Sequence, residues 1–277
     1  MERIKEAVAK AKSARRSTDF LYEAPVVSKG KPPLLDAHNS QVQKAWDRLE
    51  MVSLNATHLA NNIIITHGRN DPKHTAFDVL RTKLRSVMNK HGLKSVAITS
   101  PTPDCGKSVI STNLAFSLAH QENIKTVLID FDLKKPNLYK FLGIETNQQI
   151  SKMFKGETDI EKCLIKVRPN LLLGLNQVAE RNTSEIINWE NTAKIIDEIK
   201  KVYDPDVIIF DLPPMSSGDD VLSFLPAIDL SMLVLSSGLS QAKETKESID
   251  ILKEHSNYGG VILNKSLDQV NSYNYYS

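Results

Sequence analysis

The stretch Ser95-Val-Ala-Ile-Thr-Ser-Pro-Thr-Pro-Asp-Cys-Gly-Lys-Ser-Val-Ile-Ser-Thr-Asn-Leu-Ala115 joins a short strand-like run, a tight loop ending in Gly106-Lys107-Ser108, and an apolar-periodic helix. That order is the context a phosphate-binding loop requires. Loop amides and the positive end of the following helix form a nest for an anionic β-phosphate, and Lys107 can then reach the β- and γ-phosphates. The Ser108 hydroxyl suits Mg²⁺. Gly106 is needed because a side chain there would hold the loop away from the phosphate. The nucleotide cradle read from these residues is Pro103, Asp104, Cys105, Gly106, Lys107, Ser108 and Val109. Pro101 stands where a full Walker A pattern has its first glycine, so the match is partial.

Two further stretches deliver acids. Thr126-Val-Leu-Ile-Asp130-Phe-Asp132 reads as a strand ending in two carboxylates, and period two places both on one side of the extended chain. Asp206-Val-Ile-Ile-Phe-Asp211-Leu-Pro-Pro delivers a third acid at a strand's carboxyl end, where a Walker B residue holds Mg²⁺ through its water shell. The expected metal set is Ser108, Asp130 and Asp211, and the expected chemical set is Lys107, Asp130, Asp132 and Asp211. Any one of the acids alone also reads as a helix-capping residue.

Outward from these segments, β-branched runs alternate with helical ones. Strands are expected at 95–99, 126–130, 171–175, 207–211, 230–235 and 260–263, with helices near 76–90, 107–120, 191–202, 219–224 and 243–254. This alternation predicts an α/β fold, a doubly wound and mostly parallel sheet of the P-loop NTPase kind with an N-terminal helical extension. Its ligands belong beyond the carboxyl ends of the strands.

Before that domain, residues 1–16 read as a basic amphipathic helix, with Ile4, Val8 and Ala11 at helical spacing. Contact with an anionic membrane surface or a partner and a simple solvated helix both remain open readings. Residues 17–43 carry Pro25, Pro32 and Pro33 without a sustained period and read as a poorly ordered linker. Residues 44–72 form a lead-in segment, 73–266 the nucleotide-binding domain, and 267–277 a tail containing Tyr273, Tyr275 and Tyr276.

The 277 residues carry 35 Lys and Arg against 33 Asp and Glu, a net charge of +2 that gives no global attraction to nucleic acid. Cys105 and Cys163 lack metal-ligand spacing, which fits a reducing, cytoplasmic setting. Cys105, beside Lys107, reads either as a reactive thiol favoured by the loop's positive field or as a residue small enough to fit. No apolar run approaches the roughly 18 to 20 residues of a membrane span, so membrane contact is expected to be peripheral or through a partner.

Together, Pro103-Asp-Cys-Gly-Lys-Ser108, Val127-Leu-Ile-Asp-Phe-Asp132 and Ile208-Ile-Phe-Asp-Leu-Pro-Pro214 resemble the Walker A, A′ and B motifs of the bacterial tyrosine kinases that accompany polysaccharide co-polymerases. The likeness covers about 72–265. The resemblance implies an ATP- and Mg²⁺-dependent autokinase that regulates exopolysaccharide polymerisation and export. It implies a membrane co-polymerase as activator, a ring-shaped homo-oligomer and a location at the inner face of the cell membrane. It also implies an adenine contact at Asn264 and phosphoacceptors at Tyr273, Tyr275 and Tyr276.

Three positions depart from the family: Lys134 stands for an Arg, Thr75 and Asp78 stand for an acid and an Arg in the oligomerisation helix, and Ser236-Ser237 replaces an Arg after a strand. Arg81 of that helix is in place. A ParA/MinD-like ATPase is one alternative, opposed by Thr102 where those proteins place a second loop lysine. A non-catalytic nucleotide-binding regulator or scaffold of the export complex is the other.

Overall fold

The computed structural model describes residues 33–186 and 189–266. The expected helix at 1–16 and the tyrosines Tyr273, Tyr275 and Tyr276 lie outside the described residues.

Seven strands form one sheet in the order β3-β4-β2-β5-β1-β6-β7. They are β1 (Ser95–Thr99), β2 (Thr126–Asp130), β3 (Leu164–Arg168), β4 (Leu171–Gly174), β5 (Val207–Asp211), β6 (Leu230–Ser236) and β7 (Tyr258–Asn264). All neighbours pair in parallel except β3 with β4. The helices are α1 (Pro33–Arg48), α2 (Ala56–Asn61), α3 (His74–His91), α4 (Lys107–Ala119), α5 (Leu138–Leu142), α6 (Ile150–Phe154), α7 (Thr183–Ile186), α8 (Trp189–Tyr203), α9 (Asp220–Phe224) and α10 (Ala242–His255).

Strands β1, β2 and β5 are buried along their whole length, because helices cover both faces of a parallel sheet. Alternate residues feed two separate cores. Ala97, Val127, Ile129, Ile208 and Phe210 join one, with residues of α1, α6, α8 and α9. Val96, Ile98, Leu128 and Ile209 join the other, with residues of α3 and α4. Burial of this kind contributes about 1.5–3 kcal/mol for each large aliphatic side chain.

The structure differs from the linker expected over residues 17–43 in that α1 begins at Pro33. Proline is compatible with the first turn of a helix, where its missing N–H has no intrahelical partner. Further along α1, Val42, Ala45 and Trp46 are buried. The Trp46 indole N–H donates to the Tyr203 carbonyl at 2.8 Å, and Lys166 Nζ donates to the Trp46 carbonyl at 2.8 Å.

The two sheet edges differ. Met51 bridges to Lys166, and the Val52 amide donates to the Lys166 carbonyl at 2.8 Å, so β3 has a chain beside it. At the other edge, β7 alternates exposed and half-buried residues, with Val261 and Leu263 exposed.

Candidate nucleotide site

The loop between β1 and α4 is held by its own surroundings. The Met215 amide donates to the Ser100 carbonyl at 2.8 Å, and the Ser216 amide donates to the Pro101 carbonyl at 3.1 Å. From the opposite side, Asn264 Nδ2 donates to the Cys105 carbonyl at 2.9 Å and Lys265 Nζ to the Asp104 carbonyl at 2.7 Å. Gly106 has φ +90°, and a Cβ there would sit 2.2 Å from Asn264 Nδ2. Only glycine meets both conditions.

Pro103, Asp104, Gly106, Lys107, Ser108 and Val109 line a cavity of about 480 Å³ together with Asp132 and Lys134. Cys105 is fully buried, with its Sγ 3.7 Å from Thr102 Oγ1 and 3.6 Å from Ser240 Oγ. That burial opposes the reactive-thiol reading, since attack requires access. Asn264 braces the loop: its Nδ2 goes to Cys105, while its Oδ1 accepts from the Lys265 amide at 2.9 Å.

The buried Lys107 ammonium lies 2.9 Å from Asp132 Oδ2. Burial alone would lower its pKa, but Asp211, Asp132 and Asp130 around it raise it above the ordinary lysine value. Lys107 is therefore a permanent cation. Asp211 accepts from Ser111 Oγ at 3.0 Å and also from the Ser108 hydroxyl. Its pKa is raised by burial, against the pull of Lys107 and the hydroxyls.

Asp130 behaves differently. Its Oδ2 accepts from the amides of Asn137 and Leu138, both at 3.1 Å, and its Oδ1 faces the Asp132 amide at 3.3 Å. Both oxygens are thus committed to the turn entering α5. Burial and the neighbouring Asp211 push its pKa well above the ordinary carboxylate value.

β2 ends at Asp130, but the period-two alternation runs on past it: Val127, Ile129, Phe131 and Leu133 join one core and Leu128 the other, and Asp130 and Asp132 both act on Lys107. Between them Phe131 packs into an aromatic cluster, 4.1 Å from Phe224 and 4.8 Å from Phe154 between ring centroids. The anchored ring points away from the two acids that flank it.

A nucleotide and Mg²⁺ fit these residues. The loop offers a glycine-bared cradle, a buried cation and the Ser108–Asp211 pair. Among the described residues no group of three or more His, Cys, Asp or Glu could hold a metal by itself. Mg²⁺ commonly takes one or two protein ligands and completes its shell with phosphates and water, a demand the Ser108–Asp211 pair can meet.

Sequence reasoning passed over Ser111, Asp220 and Thr183. Asp220 Oδ2 accepts from Lys134 Nζ at 2.6 Å and from Thr183 Oγ1 at 2.9 Å. Ser111 follows Ser108 by three on the same helix, a spacing that puts both hydroxyls on one face, whereas no fixed spacing links Asp220 and Thr183 to the motifs.

Residues 96–274 match the CobQ/CobB/MinD/ParA nucleotide binding domain. Tyrosine-protein kinase YwqD of Bacillus subtilis is 30% identical over 205 residues, covering 72% of this chain and 84% of that protein. The chain belongs to the bacterial tyrosine-protein kinases, within the MinD/ParA nucleotide-binding group.

A putative tyrosine-protein kinase EpsB of Ralstonia solanacearum is also 30% identical, over 74% of this chain, but the chain spans only 27% of that longer relative. Among solved structures, the kinase domain of Escherichia coli tyrosine kinase ETK aligns with a TM-score of 0.67 and 25% identity. That alignment covers 77% of this chain and 84% of the ETK domain. The mostly parallel sheet and the P-loop expected from the sequence agree with this membership.

Proposed function

We propose that this kinase transfers the γ-phosphoryl group of MgATP to tyrosines of its own C-terminal segment, Tyr273, Tyr275 and Tyr276, and so regulates exopolysaccharide export. The observation that carries the reading is Lys107, a buried cation in the phosphate cavity, held 2.9 Å from Asp132. When nucleotide enters, the Lys107 ammonium has donors to spare for the β- and γ-phosphates. Ser108 and Asp211 would hold Mg²⁺, which neutralises phosphate charge. Asp132 then accepts the proton of the incoming tyrosine hydroxyl while that oxygen bonds to the γ-phosphorus. The bond to the β,γ-bridging oxygen breaks, and ADP leaves.

Asp130 supports this arrangement from behind by fixing the turn that carries Asp132. Asn264 supports it by bracing the loop. The activating partner is a membrane co-polymerase, which also accounts for a site of action at the inner face of the membrane.

A second reading, a nucleotide-binding regulator without kinase activity, is favoured by one observation. Arg81 is engaged within its own chain, 2.6 Å from Asp78 and donating to the Ser117 carbonyl at 2.9 Å. A ring contact that needed this guanidinium would have to displace Asp78.

An anti-phosphotyrosine blot of the protein with MgATP, with and without the co-polymerase's cytoplasmic segment, separates the two. Phosphotyrosine in wild type and none in Lys107→Met is expected. Tight MgATP binding with no phosphotyrosine under either condition would establish the regulator.

A further inference from the structure

Lys134 follows Asp132 in the turn after β2, and its side chain lines the phosphate cavity alongside Lys107. The Lys134 side chain is 42% exposed, yet its ammonium is held 2.6 Å from Asp220, whose side chain is 9% exposed. The same Asp220 oxygen takes the Thr183 hydroxyl at 2.9 Å. Three segments meet there: the turn after β2, the loop after β4 that ends at Thr183, and the run from Asp211 to Asp220. The Glu180 amide adds another tie between the first two, donating to the Leu133 carbonyl at 2.9 Å.

A lysine at a protein surface ordinarily samples many rotamers. Here a buried carboxylate removes most of that freedom, since leaving Asp220 unpaired would strand a buried charge. An ammonium has three donors, and Asp220 uses one. The cavity is thus walled by Lys107, Lys134 and Lys135, of which the first two are each fixed by a carboxylate and have donors remaining. The terminal phosphate of a nucleoside triphosphate adds negative charge that a diphosphate lacks.

We propose that Lys134 is a second ligand of the terminal phosphate, and that Asp220 and Thr183 are positioning residues that keep its ammonium at the cavity wall. The assignment rests on the nucleotide-binding reading but not on tyrosine being the acceptor. A lysine pre-set in this way discriminates triphosphate from diphosphate before any transfer occurs.

The test is calorimetric binding of ATPγS and ADP, each with Mg²⁺, to the full chain and its variants. Lys134→Met should weaken ATPγS about tenfold or more while changing ADP by no more than about twofold, and Lys134→Arg should restore most of the loss. Asp220→Asn should produce part of the same selective loss. In the Lys134→Met background it should add nothing, because a positioning residue acts only through the group it positions. Should Asp220→Asn not fold, Thr183→Val carries the positioning test, with a smaller loss in the same direction.

An unchanged ratio of ATPγS to ADP affinity in Lys134→Met overturns the assignment, as does an equal loss for both nucleotides. Asp220→Asn or Thr183→Val that shifts only the melting temperature overturns the positioning role. Absence of phosphotyrosine in wild type would sink the autokinase reading and leave the affinity ratio readable. Absence of any nucleotide binding would sink this inference and the nucleotide reading together.

Discussion

Strands β2 and β5 lie side by side and end level, with Asp130 in register with Asp211. Both carboxyls are buried and both have raised pKa values, yet their surroundings divide them. Beyond Asp130 the chain turns into α5 and offers backbone amides, which take both of its oxygens. Asp211 faces α4, which offers the hydroxyls of Ser108 and Ser111. Amides fix an acid in place, whereas a serine hydroxyl can be exchanged for a metal's water shell. Two acids at level strand ends thus differ in what the segments around them offer, and the proposed function assigns them different roles on that ground.

Mutation can break this contrast. The largest effect is expected for Asp211→Asn, which should lower Mg²⁺-dependent phosphoryl transfer by about a hundredfold or more with the fold intact. The check is a Mg²⁺ titration of ATP consumption. Asp132→Asn should come next, lowering kcat by about a hundredfold while ATP affinity stays within a few-fold, since a general base matters in the transition state more than in binding. Replacing Tyr273, Tyr275 and Tyr276 together with Phe should remove autophosphorylation and leave ATP affinity unchanged, as read by blot and calorimetry. Phosphotyrosine persisting at the wild-type level would place the acceptors elsewhere.

Asp130→Asn should cost far less activity, within about tenfold, because one amide oxygen can still accept from Asn137 and Leu138. If it abolished Mg²⁺ dependence as Asp211→Asn does, the division between the two strands would fail. The smallest effect is a pH trend. At low pH the folded and unfolded chains both hold the Asp130 proton; as pH rises, the unfolded chain releases it first, and the folded state loses stability until its own raised pKa is passed. The melting temperature of Asp130→Asn relative to wild type should therefore rise as pH increases above about 4, the ordinary carboxylate value. A flat difference would mean that Asp130 titrates normally.

Much of this frame was legible before the structure. Strands at 95–99, 126–130 and 207–211 coincide with β1, β2 and β5, because each is a β-branched run bounded by polar residues. Gly106-Lys107-Ser108 was legible for a different reason, since a bare α-carbon followed by a cation and a hydroxyl has few other uses.

Strand β3 was missed although Leu164, Ile165 and Val167 precede Pro169-Asn170, a turn signal; its antiparallel pairing with β4 breaks the βαβ rhythm that guided the reading. The short helices α5 and α6 offer too few residues for a periodic signal. The metal role expected for Asp130 follows from where an acid sits along a strand, a signal that does not include the amides of Asn137 and Leu138 that fold back over it. Asp220 and Thr183 meet Lys134 only through tertiary contact.

The brace across Gly106 has a mechanical side. Asn264 and Lys265 both donate to carbonyls of the phosphate loop, and both stand where the chain leaves β7, the last strand among the described residues. Loop and exit point are thereby clamped together, so the place from which the tyrosine-bearing segment departs is set by the same backbone that cradles the nucleotide. Gly106→Ala would strike twice with a single methyl, once against the approach of phosphate and once by prising the last strand's amide off the loop.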